Sequence, residues 1–164
     1  MAREEKRAIY PGTFDPVTNG HMDIIQRSSG LFDHVIVGVT TNPAKAPLFS
    51  VEARINMIQD EVRTLDNVEV QGFDGLLMDY ARNRNAQVVV RGLRAITDFE
   101  FELQMALMNR KLADEIVTVF LMPNEKYTYL NSTIVKEVAK FKGDVSSFVS
   151  PAVEKLLALK FQSA

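Results

Sequence analysis

Five short apolar runs, rich in valine and isoleucine, recur along the chain, and a segment with helical spacing follows each of them. The runs are Ala8-Ile9-Tyr10, Val35-Ile36-Val37-Gly38-Val39, Val68-Glu69-Val70, Val88-Val89-Val90 and Ile116 to Leu121. Strands that are apolar almost throughout must be covered on both faces, and strands separated by helices pair in parallel. The pattern predicts an α/β chain with a doubly wound, five-stranded parallel sheet. Its 164 residues suit a single domain over 1–164, with a core over roughly 6–160. Helices are expected from near Gly20-His21, over Val51 to Val62 with Ser50 as cap, and from about Leu76 to Arg84. A further one runs from a Thr97-Asp98-Phe99-Glu100 capping box to about Leu112, and the last two cover Thr133 to Phe141 and Ala152 to Phe161.

Ligands of such sheets bind beyond the carboxyl ends of the strands. The residues there are Thr13 to His21, Thr40 to Lys45, Gly72 to Asp74, Arg91 to Arg94 and Pro123 to Thr133. The first run carries the most information. Pro11-Gly12 is expected to end the opening strand, since proline lacks a ladder donor. Thr18 or Asn19 caps the helix that follows, which turns Met22, Ile25, Ser29 and Phe32 to one face and Asp23, Gln26 and Arg27 to the other. A helix N-terminus offers free N–H groups and a positive dipole end, both suited to phosphate, and His21 adds a side-chain donor there.

His21, Lys45, Arg91 and Arg94 thus put four potential cations on one rim of a chain whose net charge is −2. That overall charge gives no case for nucleic acid or an anionic membrane as partner, so the rim implies a small polyanion bound locally. The chain has no cysteine, which excludes disulfides, thiolate zinc sites and a cysteine nucleophile. The charged start, Met1 to Arg7, does not read as a signal peptide, and no apolar run approaches the roughly 18 residues of a membrane helix. A cytoplasmic location fits these features. No serine–histidine–acid set, hydrolase carboxylate pair, Walker loop or metal-ligand cluster is visible in the sequence. Direct phosphoryl or nucleotidyl transfer, carried by positioning and charge stabilisation, is the chemistry left.

The stretch Tyr10-Pro11-Gly12-Thr13-Phe14-Asp15-Pro16 with Thr18-Asn19-Gly20-His21 resembles the T/HxGH signature of the nucleotidyltransferase superfamily, whose fold is Rossmann-like. Three further runs narrow the resemblance: Asn42-Pro43-Ala44-Lys45-Ala46-Pro47; Arg91-Gly92-Leu93-Arg94 before Asp98-Phe99-Glu100; and Leu121-Met122-Pro123 before Asn131-Ser132-Thr133-Ile134-Val135-Lys136-Glu137. In this order they resemble the bacterial phosphopantetheine adenylyltransferase family.

The resemblance implies a reaction in which the phosphate of 4′-phosphopantetheine attacks the α-phosphorus of ATP, giving dephospho-coenzyme A and pyrophosphate. His21 would bind the ATP phosphates and stabilise the transition state. Lys45 and Arg91 would hold the substrate phosphate and neutralise developing charge. Thr13 would contact the attacking phosphate, and Leu77, with Phe73 nearby, the pantetheine arm. The Phe14 backbone, Gly92, Leu93, Arg94, Glu102 and the run Tyr127, Thr128, Tyr129, Leu130, Asn131, Ser132 and Thr133 would line the ATP site. Asn131 stands where the family usually has serine, and Tyr127 where it often has tryptophan. The resemblance also implies Mg²⁺ carried on the ATP phosphates, feedback inhibition by coenzyme A, and a homohexamer. The long helix is compatible with the last, because Phe99, Leu103, Ala106 and Leu107 make one apolar stripe and Phe101, Met105, Met108 and Leu112 another. One stripe is expected to face the sheet. A nucleotidyltransferase with another phosphorylated acceptor, and a non-catalytic ATP-binding sensor, stay open as alternatives.

Overall fold

The computed structural model describes residues 4–41 and 46–162. Among these are five strands, β1 (Arg7–Gly12), β2 (His34–Thr40), β3 (Val68–Phe73), β4 (Val88–Gly92) and β5 (Val117–Leu121). The helices are α1 (Asn19–Leu31), α2 (Val51–Glu61), α3 (Leu77–Asn83), α4 (Ile96–Leu112), α5 (Ser132–Lys140) and α6 (Pro151–Gln162). One turn of 3₁₀ helix, Glu125–Tyr127, lies between β5 and α5 and left no periodic signal in the sequence. All pairings are parallel, as the alternation predicts, and the strand order is β3-β2-β1-β4-β5.

Successive strand residues feed opposite faces. Ala8, Tyr10, Val37, Val39, Val70 and Val90 enter one core with residues of α1, α2, α5 and α6. Ile9, Ile36 and Val89 enter a smaller one with Met78 and Ala81 of α3 and with Ala113 and Ile116. Both faces are therefore closed, which explains why the strands are apolar at odd and even positions alike.

Four local expectations are corrected. Pro11 and Gly12 continue β1, paired with Gly38 and Val39 of β2. The missing proline donor costs little, because β1 pairs with β4 only at Ala8 and Ile9 and is open on that side further along. Gly72 lies within β3 rather than in a turn; a Cβ there would come within 3.2 Å of Ile55 and 3.3 Å of Val51 on α2. The inner face of α1 is Ile24, Ile25 and Ser28, about one position away from the predicted Met22–Ile25–Ser29–Phe32 row. The Thr97-Asp98-Phe99-Glu100 box does not cap α4: the helix begins at Ile96 after Ala95, with no side-chain cap, and the Asp98 carboxylate is taken by Arg94 at 3.1 Å.

The long helix departs furthest from its pattern. Neither apolar stripe of α4 is buried; Phe101 is 61% exposed and Leu107 56%, while Glu102 and Asn109 are the buried residues. Glu102 faces inward because β4 offers Arg91 there, to which it is bound.

Candidate active site

β1 and β4 separate beyond Ile9 and Val89, at the point where the strand order reverses. This opens a crevice at the carboxyl edge, the place where α/β sheets bind ligands. The crevice is a cavity of about 1080 Å³. Its wall is built from the β1–α1 turn, the ends of β2 and β3, the start of α3, the end of β4, the first turns of α4 and the start of α5.

The β1–α1 turn is the most constrained part. Phe14 has φ 50°, a left-handed value uncommon for a side chain of this size. Its buried ring folds back over Gly12, where a Cβ would lie 2.8 Å from the ring, so glycine is required there. The same ring meets Tyr10 and His21 edge-on, with centroids 5.4 and 5.0 Å away. Arg54, 1% exposed on α2, closes the turn from behind: Nη1 donates to the carbonyls of Thr13 at 2.6 Å and Thr40 at 3.0 Å, and Nε to that of Phe49 at 3.1 Å. Burial lowers the Arg54 pKa, and the Asp15 carboxylate opposes the shift.

Thr18 caps α1. Its Oγ1 accepts from the His21 backbone N–H at 3.3 Å, and its own N–H donates to His21 Nδ1 at 3.0 Å. An amide N–H can only donate, so Nδ1 is the acceptor and the neutral ring carries its proton on Nε2. Burial, reinforced by the positive charges of Arg94 and Arg91, lowers the His21 pKa from 6.5 to about 4. His21 is thus a neutral Nε2–H donor at the start of a helix, on the wall of the cavity.

Arg91 ends β4. It makes a forked pair with Glu102, Nε to Oε2 at 2.8 Å and Nη2 to Oε1 at 2.7 Å, and Nη1 donates to the Pro11 carbonyl at 3.2 Å. Burial works against its charge, but the Glu102 bonds outweigh it and hold the Arg91 pKa above the ordinary value. Arg94 donates to the Leu130 carbonyl at 2.9 Å and pairs with Asp98. Asn131 caps α5 by accepting from the Ile134 N–H at 2.8 Å, which leaves the side chains of Ser132 and Thr133 on the cavity wall.

Of the residues singled out in the sequence, the cavity brings together Thr13, Phe14, His21, Leu77, Arg91, Gly92, Arg94, Glu102, Tyr127, Leu130, Asn131, Ser132 and Thr133. Lys45 lies outside the described residues. Leu93, Thr128 and Tyr129 are off the wall: the Leu93 N–H donates to Leu121, the Thr128 hydroxyl to the Glu125 carbonyl, and Tyr129 packs edge-on against Phe148. A Cβ at Gly92 would meet Ile24 and Tyr10 at ordinary contact distances, so the packing around it does not itself demand glycine. Sequence reasoning passed over Asp15, Arg54 and Lys136. Lys136 had a usable signal, standing four residues after Ser132 and so on the same face of α5.

The cytidylyltransferase-like family model matches residues 9–138. A phosphopantetheine adenylyltransferase of Alkaliphilus metalliredigens is 56% identical over 155 residues, which is 94% of this chain and 99% of the relative. Solved structures share the fold at much lower identity. The nicotinic acid mononucleotide adenylyltransferase of Plasmodium falciparum, complexed with APC, superposes with a TM-score of 0.70 at 12% identity, over 97% of this chain and 96% of its own. A bifunctional NMN adenylyltransferase/ADP ribose pyrophosphatase of Francisella tularensis gives 0.73 at 16%, over 98% of this chain and 51% of its own. The strand order, the phosphate-suited helix starts and the match along nearly the whole sequence agree, and the chain belongs to the phosphopantetheine adenylyltransferases of the cytidylyltransferase-like family.

Proposed function

We propose that this cavity carries out the reaction of the family, transfer of the adenylyl group of ATP to 4′-phosphopantetheine in coenzyme A biosynthesis. A phosphate oxygen of phosphopantetheine forms a bond to the α-phosphorus of ATP, the bond from that phosphorus to the bridging oxygen breaks, and pyrophosphate leaves. No covalent enzyme intermediate is involved. The observation that carries this reading is the placing of one neutral imidazole donor, two guanidinium groups and the starts of α1 and α5 around a single crevice. Such groups stabilise charge on a transferring phosphoryl group without chemistry of their own.

In this reading the Nε2–H of His21 donates to the α-phosphoryl oxygen as its charge grows. Arg91, with Lys45, holds the attacking phosphate beside Thr13, and Leu77 flanks the pantetheine arm. Gly92, Arg94, Glu102, Tyr127, Leu130 and Asn131 line the place for ATP, with Ser132 and Thr133 at its phosphates; Leu93, Thr128 and Tyr129, which lie off the wall, have no direct contact in this reading. Of the cavity carboxylates, Asp15, Asp98 and Glu102 have cationic partners and Asp74 accepts from the Gly75 N–H. No group of three or more metal-ligating side chains occurs among the described residues, which fits a Mg²⁺ that arrives on ATP and is held by phosphate oxygens and water. The ion supplies charge neutralisation on the phosphates. Coenzyme A, which contains the pantetheine arm, is proposed as a feedback inhibitor at the same crevice. The exposed stripes of α4 support a homohexamer, since apolar surface of that extent is normally covered. No helix among the described residues is long and apolar enough to cross a membrane, and a cytoplasmic location is proposed.

The test is incubation with ATP, Mg²⁺ and 4′-phosphopantetheine, following pyrophosphate and dephospho-coenzyme A. Both products are expected in equal amounts. A pure, folded sample that leaves ATP intact, or that turns over nicotinic acid mononucleotide instead, overturns the reading.

A further inference from the structure

Asp15 and Lys136 lie 121 residues apart in sequence and meet on the lining of the cavity. Asp15 is 3% exposed. Its Oδ1 accepts from the Phe49 N–H at 2.9 Å, and its Oδ2 accepts from the Leu48 N–H at 2.8 Å and from Lys136 Nζ at 2.7 Å. The carboxylate therefore ties three pieces of chain together: the β1–α1 turn, the lead into α2, and α5. A second tie runs alongside, from Ser132 Oγ to the Pro16 carbonyl at 2.8 Å.

A buried carboxylate is an awkward neighbour for a site that must take two polyanions, because its field opposes both. Lys136 answers this from the opposite wall. Its ammonium reaches Asp15 from α5, one turn after Ser132, and the side chain remains 28% exposed. We infer that Asp15 and Lys136 are a positioning pair for the transfer reaction, fixing the gap between the β1–α1 turn and the start of α5 while cancelling a negative charge beside the ATP phosphates. This rests on the adenylyl-transfer reading of the cavity. Neither residue need touch a substrate, and the two act through Thr13 and His21 on one wall and Ser132 and Thr133 on the other.

The two jobs separate kinetically. Lys136→Met removes both the tie and the countercharge, so KM for ATP is expected to rise at least tenfold and kcat to fall by about as much, misplacement of about 1 Å being worth up to ~10²-fold. Lys136→Arg keeps cation and hydrogen bond and should stay within about threefold of the parent in both parameters, as charge-assisted pairing is retained. Adding Asp15→Asn to Lys136→Met removes the carboxylate that has lost its ammonium and keeps only the more distant Arg54 as countercharge. KM for ATP should then return most of the way while kcat remains low, because the charge is gone and the tie is still missing. A residue with a purely structural role would lower the melting temperature and show no such recovery. Lys136→Gln replaces the methionine variant if the latter does not fold. Unchanged kinetics in folded Lys136→Met or Lys136→Gln, or a double variant with KM no better than the single, overturns the inference while parental turnover leaves the adenylyl-transfer reading in place. A parent that turns nothing over ends that reading and this inference with it.

Discussion

Replacing Arg54 by methionine should be among the most damaging single changes outside the substrate contacts. The side chain is 1% exposed and three of its donors go to main-chain carbonyls, those of Thr13, Thr40 and Phe49, which belong to three different segments. Methionine fills similar volume but donates nothing. A buried acceptor stripped of its donor costs about 1–3 kcal/mol. Three of them set a range of roughly 3–9 kcal/mol, and the low end applies because the Thr13 carbonyl borders a cavity that water can enter. Asp15 also loses the cation that shares its surroundings. The expected loss is therefore about 3–4 kcal/mol, a large part of the roughly 5–15 kcal/mol that holds an ordinary domain folded. At about 2–4 °C per kcal/mol for a chain of this size, the melting temperature should fall by roughly 6–16 °C. Thermal unfolding followed by circular dichroism, with urea unfolding alongside, measures it. Arg54→Lys, with a point charge able to reach one or two of the carbonyls, should lie between parent and methionine variant. A methionine variant that melts within about 2 °C of the parent would refute the reasoning, because the turn at Phe14 would then be held by something other than this guanidinium.

His21→Ala should leave the fold intact and lower kcat by at least about a hundredfold, the usual cost of losing one donor to a developing oxyanion; near-parental turnover in the pyrophosphate assay would reject the assigned role. The depressed His21 pKa also gives a stability signature. The unfolded ring titrates near 6.5 and the folded one near 4, so between these values the unfolded chain binds the extra proton and stability falls as pH falls. Above about 6.5 the effect vanishes. His21→Gln should accordingly lose less stability than the parent between pH 7 and pH 5, by up to about 2 kcal/mol, and denaturant titrations of both proteins at the two pH values would expose a flat difference if the ring is not held neutral. Glu102→Gln should free one arm of Arg91. The stability cost is expected to be only about 1–2 kcal/mol, since the Arg91 side chain is about a third exposed and its charge partly screened. Steady-state kinetics should show kcat down about tenfold as the guanidinium loses its aim, and an unaltered kcat would count against Glu102 as the group that orients Arg91.

The order and kind of the elements follow from local chemistry, and so did their reading. Valine-rich runs between helical segments dictate a covered parallel sheet, Ser50 announces α2, and the turn from Pro11 to His21 announces a phosphate-suited helix start. The family resemblance carried the reading from a generic phosphate site to particular residues, and most of the positions singled out line one cavity. Where local rules were applied without their neighbours they misled. Thr97 to Glu100 has capping spacing, but α4 starts one residue earlier, at Ile96, so Thr97 lies inside the first turn and cannot be its cap. Pro11 looks like a strand end, but β1 has already parted from β4 on that side. The stripes of α4 look like core, but the wall beneath the helix presents a guanidinium, so Glu102 turns inward.

What no window of sequence could show is the set of bonds that hold the site in shape. Arg54 to Thr13 spans 41 residues, Arg91 to Pro11 spans 80, and Lys136 to Asp15 spans 121. Period and propensity act over a few residues and decide what each segment becomes. A buried charge finds its partner only when the sheet has brought distant loops to one edge, so the chemistry of the crevice was legible in its residue types while its geometry belonged to the folded chain alone.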